Sequence, residues 1–181
     1  LLCEKLLFLS LSFLVTLAIA KHLSPEFFGQ LSFLIALAAL VVPLNSLGLN
    51  SIVTKEILAR PNDVECIVGS ALMMRLIAGV VVITITSLTS FFFLPFNEWV
   101  LLNVLVAASI FDAAIVVDLW LQAYLANRYG VILRLFVIGL FSIIKLIAVR
   151  LDAEIAVFVC ILGGEALFSA VLYLALYQHL T

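Results

Sequence analysis

Several charged side chains lie within long apolar stretches of the sequence, where surface charges are not expected: Arg75, Asp112, Asp118, Arg134, Lys145 and Glu165. A charged side chain near the centre of a membrane helix costs at least about 2.5 kcal/mol if it faces lipid. We therefore expect these side chains to face one another or water. Basic groups in such a place can bind an anion, and carboxylates can carry protons or cations. The set predicts a polar cavity inside an apolar bundle.

The spacing of two of the basic residues gives them a common direction. Arg134 and Lys145 are eleven residues apart, which at 3.6 residues per turn is within about 20° of realignment. One stripe of the predicted helix therefore contains Arg134, Ile138, Phe141 and Lys145. We expect the two cations to point into the cavity together.

Two roles remain open for the charged set. In the functional hypothesis, Arg75, Arg134 and Lys145 contact an anionic solute, while Asp112, Asp118 and Glu165 neutralise them or bind coupling ions. In the structural alternative, the charges are buried ion pairs that hold the bundle together. Asp112 with Lys145 is the pair we expect in that case, and Asp118 is expected to share a face with Gln122.

A proline interrupts the second apolar run. Pro43 removes one helix hydrogen bond and frees the carbonyl of Ala39, and Asn45, Ser46 and Gly48 follow it. A kink or a partly unwound turn is expected there. Transporters often bind solutes at such breaks, so Asn45 is a candidate cavity residue, although a packing kink is the simpler interpretation.

Other classes of site have little support in the sequence. It contains no Ser/His/Asp set, no glycine-rich phosphate loop and no His/Cys cluster, so we expect no enzyme, no metal and no cofactor. A net charge of −2 does not indicate a nucleic-acid partner. The three cysteines fit neither a metal site nor a disulfide framework: Cys3, Cys66 and Cys160.

Composition and run length predict the architecture. Hydrophobic residues make up 66% of the 181 residues, and mean hydropathy is +1.36. Runs of about 20 apolar residues are long enough to cross a bilayer as helices. We predict an all-α integral membrane protein, a bundle of six transmembrane helices over residues 2–20, 27–49, 67–94, 99–124, 131–149 and 155–177.

The distribution of basic residues predicts the orientation. With the N-terminus in the cytoplasm, six basic residues fall on the cytoplasmic side and three on the outer side, which agrees with the positive-inside rule. Trp99 and Trp120 then lie near opposite ends of the fourth span, where interfacial aromatic residues are expected.

Four local patterns, in this order and spacing, resemble the N-terminal half of bacterial polysaccharide (O-antigen) flippases. That family belongs to the superfamily of multidrug, oligosaccharidyl-lipid and polysaccharide exporters. The patterns are LSPEFFG at 23–29, PLNSLGLNSIV at 43–53 running into Lys55-Glu56, GSALMMRL at 69–76, and DLWLQA at 118–123 followed by Arg128-Tyr129 and Arg134.

The resemblance implies a two-lobed exporter with about six helices in each lobe. Such proteins move undecaprenyl-pyrophosphate-linked oligosaccharide across the bacterial cytoplasmic membrane by alternating access, and basic cavity residues meet the pyrophosphate and acidic sugars. The length of the chain suggests a single lobe, so we expect a fragment that lacks the C-terminal lobe. Expected partners are that lobe, membrane lipid, the lipid-linked oligosaccharide and the polysaccharide polymerase machinery.

Two other functions stay open at this point. A drug/cation antiporter of the same superfamily has the same kind of fold with a different solute. A membrane glycan polymerase or transferase is the enzyme alternative, and the lack of a catalytic cluster and of a long extracytoplasmic loop disfavours it.

Overall fold

The computed structural model is helical in nearly every residue that it describes, and no strand occurs among them. It describes residues 2–46, 48–60, 63–123 and 127–180, with side chains for all of these except 2–5, 7, 122–123, 127–129 and 180. Gln122 and Arg128, both used in the sequence arguments, therefore lie outside the described side chains. The predicted all-α class is confirmed for the described part of the chain.

The helices follow the apolar runs, with polar and proline-containing turns between them. Their bounds are α1 Leu2–His22, α2 Pro25–Asn45, α3 Asn50–Ala59, α4 Val64–Phe93, α5 Phe96–Ala108, a 3₁₀ helix Ser109–Ala114, α6 Ile115–Ala123, α7 Asn127–Arg150 and α8 Ile155–Leu180. The start of α2 shows how the sequence sets a boundary. Pro25 occupies the first turn, and the Phe27 amide donates to the Ser24 hydroxyl at 3.4 Å.

One predicted span ends early as a helix, and another is an interrupted helix. The span predicted at 27–49 is α2, which ends two residues after Pro43, followed by a separate helix α3. Gly48 has φ +66° in the break, a left-handed conformation that glycine adopts readily. The span predicted at 99–124 is α5 and α6 joined by the 3₁₀ helix. Helix α2 thus ends close to Pro43 as expected, whereas no proline or glycine in residues 109–114 marks the interruption between α5 and α6.

Packing joins both antiparallel and parallel neighbours in the bundle. Helix α2 lies against α4 and α5, α1 lies against α7, and α8 contacts α5 and α7. The turns after α1, α4 and α7 surround one cavity of about 1050 Å³, so they lie at the same end of the bundle. Helix α3 packs beside α4 and α6 at the other end.

Much of the outer surface is apolar, and such a surface is unfavourable in contact with water. Large hydrophobic side chains are widely exposed, and Leu40, Phe92 and Phe93 are 75%, 80% and 85% exposed. Within the described residues, five stretches are long and apolar enough to cross a membrane: Pro25–Ala59, which includes α2 and α3, and Val64–Phe93, Phe96–Leu121, Gly130–Arg150 and Ile155–His179. Helix α1 presents the shorter apolar stretch Phe8–His22. These features suggest a multi-pass membrane protein.

Candidate functional site

Four of the six charged residues singled out in the sequence line a single cavity. This cavity, of about 490 Å³, lies between α1, α7, α8 and the 3₁₀ helix. Asp112, Arg134, Lys145 and Glu165 line it, together with apolar side chains and the polar Ser12, Ser169 and Tyr173. The common direction expected for Arg134 and Lys145 is therefore seen in the cavity wall. We call these four residues the charged cavity set.

The shortest ion pair in this cavity joins α7 to α8. The Lys145 ammonium donates to Glu165 Oε2 at 2.6 Å, and their side chains are 16% and 24% exposed. The expected pairing of Lys145 with Asp112 is wrong. The backbone of Asp112 belongs to the 3₁₀ helix, where its carbonyl faces Arg75 of α4, while α7 and α8 are direct neighbours.

A second, smaller cavity adjoins this ion pair. Its volume is about 180 Å³, and its wall includes Ser12 and Thr16 of α1 with Ser142 of α7. Lys145 and Glu165 line both cavities. Phe8, Ser12, Ile138 and Leu162 also line both, so the two cavities are neighbours and the ion pair lies in their common wall.

Arg134 lies beside a second carboxylate, at the α6–α7 contact. Its Nη1 is 3.9 Å from Asp118 Oδ2, and its Nε donates to the Gly130 carbonyl at 3.4 Å. A methyl group at Gly130 would come within 2.5 Å of Asp118 Oδ1, so a larger residue there would force that carboxylate to shift. Asp118 is buried and does not line the charged cavity.

The structure does not bring Arg75 and Asn45 to the charged cavity. Arg75 is 4% exposed, and its guanidinium donates to the Asp112 carbonyl at 3.5 Å and to Asn50 Oδ1. Asn45 is also buried, and its amide donates to the Ser109 hydroxyl at 2.6 Å. Both residues therefore belong to a separate polar network at the two helix interruptions.

Sequence reasoning missed Asn50 and Ser109, which complete that network. Asn50 begins α3, five residues after Asn45, and it lies within one of the four quoted patterns. The available signal for Asn50 was that it is a second asparagine, on the far side of the break that follows Pro43. Ser109 carried no comparable signal, because no proline or glycine marks the 3₁₀ helix.

Comparison with known proteins adds no identification. No family model matches the chain, and neither a curated protein nor a solved structure matches it. The resemblance to the polysaccharide flippases therefore rests on the four sequence patterns alone. Among the described residues, no group of three His, Cys, Asp or Glu side chains is placed to hold a metal ion.

Proposed function

We propose that this chain is one lobe of a flippase that moves undecaprenyl-pyrophosphate-linked oligosaccharide to the outer leaflet of the bacterial cytoplasmic membrane. The observation that carries the proposal is the charged cavity set, two cations and two carboxylates around one cavity in a largely apolar bundle. The four sequence patterns supply the substrate class. The proposal includes a cytoplasmic N-terminus and a second lobe.

The chemistry of the substrate matches that of the cavity. The pyrophosphate and sugars cannot enter hydrocarbon without losing hydration that must be replaced. Arg134 and Lys145 would replace part of it with charge-assisted hydrogen bonds to phosphate oxygens. The prenyl tail would remain in the bilayer, against the exposed apolar side chains of the helices.

The carboxylates of the cavity neutralise its cations when no substrate is bound. When no head group is present, Glu165 neutralises Lys145 at 2.6 Å, so an unpaired cation is not left in the bundle. An arriving pyrophosphate would compete with Glu165 for Lys145. Glu165 and Asp112 are then available to take up a proton or a cation, which gives the cycle a means of coupling.

Deletion of the full-length gene tests the proposal in the cell. In a strain with no second flippase, we expect loss of surface polysaccharide and a build-up of lipid-linked intermediate in the cytoplasmic leaflet. Normal surface polysaccharide without build-up would overturn the proposal.

The drug/cation antiporter is the second candidate, because the same cavity presents the carboxylates Asp112 and Glu165, which suit an organic cation. Loss of dye efflux in the deletion strain, with surface polysaccharide intact, would favour it. Unchanged dye efflux together with loss of surface polysaccharide in the deletion strain would exclude the antiporter.

A further inference from the structure

Two helix interruptions meet at one level of the bundle. Asn45 ends α2 and Asn50 begins α3, so the two asparagines flank the first interruption. Ser109 and Asp112 belong to the 3₁₀ helix that forms the second. Because a 3₁₀ helix has three residues per turn, residues 109 and 112 lie on the same side of it. The Ser109 hydroxyl accepts from Asn45 of α2, and the Asp112 carbonyl accepts from Arg75 of α4. The 3₁₀ helix packs against both α2 and α4.

Helix α4 crosses this level without a break and carries the arginine that joins the two interruptions. Arg75 donates to Asn50 Oδ1 on one side and to the Asp112 carbonyl on the other. One turn further along α4, a methyl group at Gly79 would come within 3.1 Å of the Ile110 side chain, so the 3₁₀ helix lies close against α4. We call Asn45, Asn50, Arg75, Ser109 and Asp112 the Arg75 network.

Separate hydrophobic cores lie on either side of the network. On one side α2 packs on α5 through Leu34, Ala38, Leu102 and Val106. On the other side α3, α6 and the first turns of α4 share a different core, formed by Val53, Ile57, Val68, Ala71, Val116 and Leu119. Each interrupted helix therefore contributes one half to each core, and the polar network lies between them.

We propose that the Arg75 network is a hinge at which α3 and α6 move together relative to α2 and α5, with Arg75 as the clamp that holds the hinge closed. Regular helices bend little, and hinges form at element ends where backbone torsions can change. Both interruptions supply such ends. Asp112 links the hinge to the charged cavity, because its carbonyl accepts from Arg75 while the residue lines the cavity wall.

Hydrogen–deuterium exchange on the full chain in lipid nanodiscs tests the hinge, with Asn50→Ala as the main variant. This change removes one acceptor of Arg75 and leaves the arginine in place. Loss of a hydrogen bond to a buried charged group predicts exchange about tenfold faster in the amides of α3 and α6. Exchange in α2 and α5 should stay unchanged. Asn103→Ala is the matched control, because the Asn103 amide donates only to Trp99 of its own helix at 2.8 Å among its described contacts.

Asn50→Asp keeps the test decisive if the alanine variant does not fold. A carboxylate facing Arg75 strengthens the clamp, so α3 and α6 should exchange more slowly than in the wild type. Equal acceleration of every helix in Asn50→Ala, or unchanged exchange of α3 and α6 in either variant, would overturn the hinge.

Discussion

The pair formed by Lys145 and Glu165 carries most of the functional argument at the scale of the residue. Both side chains are largely buried and lie 2.6 Å apart, in the wall of two cavities. Removing one partner of a buried pair leaves an uncompensated charge and costs about 3–5 kcal/mol, whereas removing both costs far less. This difference separates a binding role from a structural one.

For this pair we predict that abundance and transport respond differently. Lys145→Ala should lower the amount of folded protein in the membrane, and Lys145→Ala with Glu165→Ala should restore it, because no unpaired carboxylate remains. Transport should stay impaired in the double variant and should be partly retained in Lys145→Arg. Immunoblots of membranes and polysaccharide export measure the two effects, with the exposed Lys21→Ala as control. Normal export by the double variant would leave Lys145 with a structural role only.

A second residue-scale prediction concerns the close approach of α6 to α7. Gly130→Ala should destabilise the protein by about 1–3 kcal/mol, because the new methyl group overlaps Asp118. Gly139→Ala on the same helix meets no atom within 4 Å, so it should be neutral or stabilising. Thermal unfolding in detergent compares the two. Equal melting temperatures for both variants would contradict the packing of Asp118 against Gly130.

At the scale of the element, the two interruptions differ in how far they could be predicted. Pro43 and Gly48 mark the first in the sequence, and α2 does end there. Nothing in residues 109–114 marks the second. Each 3₁₀ residue turns the chain about 20° further than an α-helical residue does, so the faces of later residues cannot be read from an α-helical period. The pairing of Asp112 with Lys145 was expected from their similar depth, and depth does not distinguish Asp112 from Glu165, which is the residue that Lys145 contacts. Arg134 and Lys145, on the uninterrupted α7, share one cavity as expected.

The break between α2 and α3 gives a prediction about backbone conformation. Gly48→Ala should destabilise the protein by about 1–2 kcal/mol, because φ +66° is unfavourable for a residue with a side chain. No atom lies within 4 Å of the added methyl group, so any loss comes from the backbone alone. Gly29→Ala, within helix α2 and equally open, is the control and should not destabilise. A Gly48→Ala protein as stable as the wild type would show that the left-handed turn is not required.

At the scale of the whole molecule, the orientation in the membrane is the open prediction. The turns after α1, α4 and α7 lie at one end of the bundle, and the basic residues favour that end as the outer one. In a chain with its three cysteines replaced by alanine, a cysteine at the exposed Asn97 should react with an impermeant maleimide added to intact cells. A cysteine at the exposed Asp63 should react only after permeabilisation. The reverse pattern would show that the protein has the opposite orientation in the membrane.

Transport of the lipid-linked oligosaccharide itself tests the central claim most directly. The full-length gene product is reconstituted in vesicles whose inner leaflet carries undecaprenyl-pyrophosphate-linked sugar, and an impermeant glycosidase outside reports its arrival. We predict that the wild-type protein exposes the sugar faster than protein-free vesicles do, and that the Lys145→Ala, Glu165→Ala double variant is slower than the wild type. Wild-type vesicles that expose the sugar no faster than protein-free ones would contradict the assignment of this chain to a flippase.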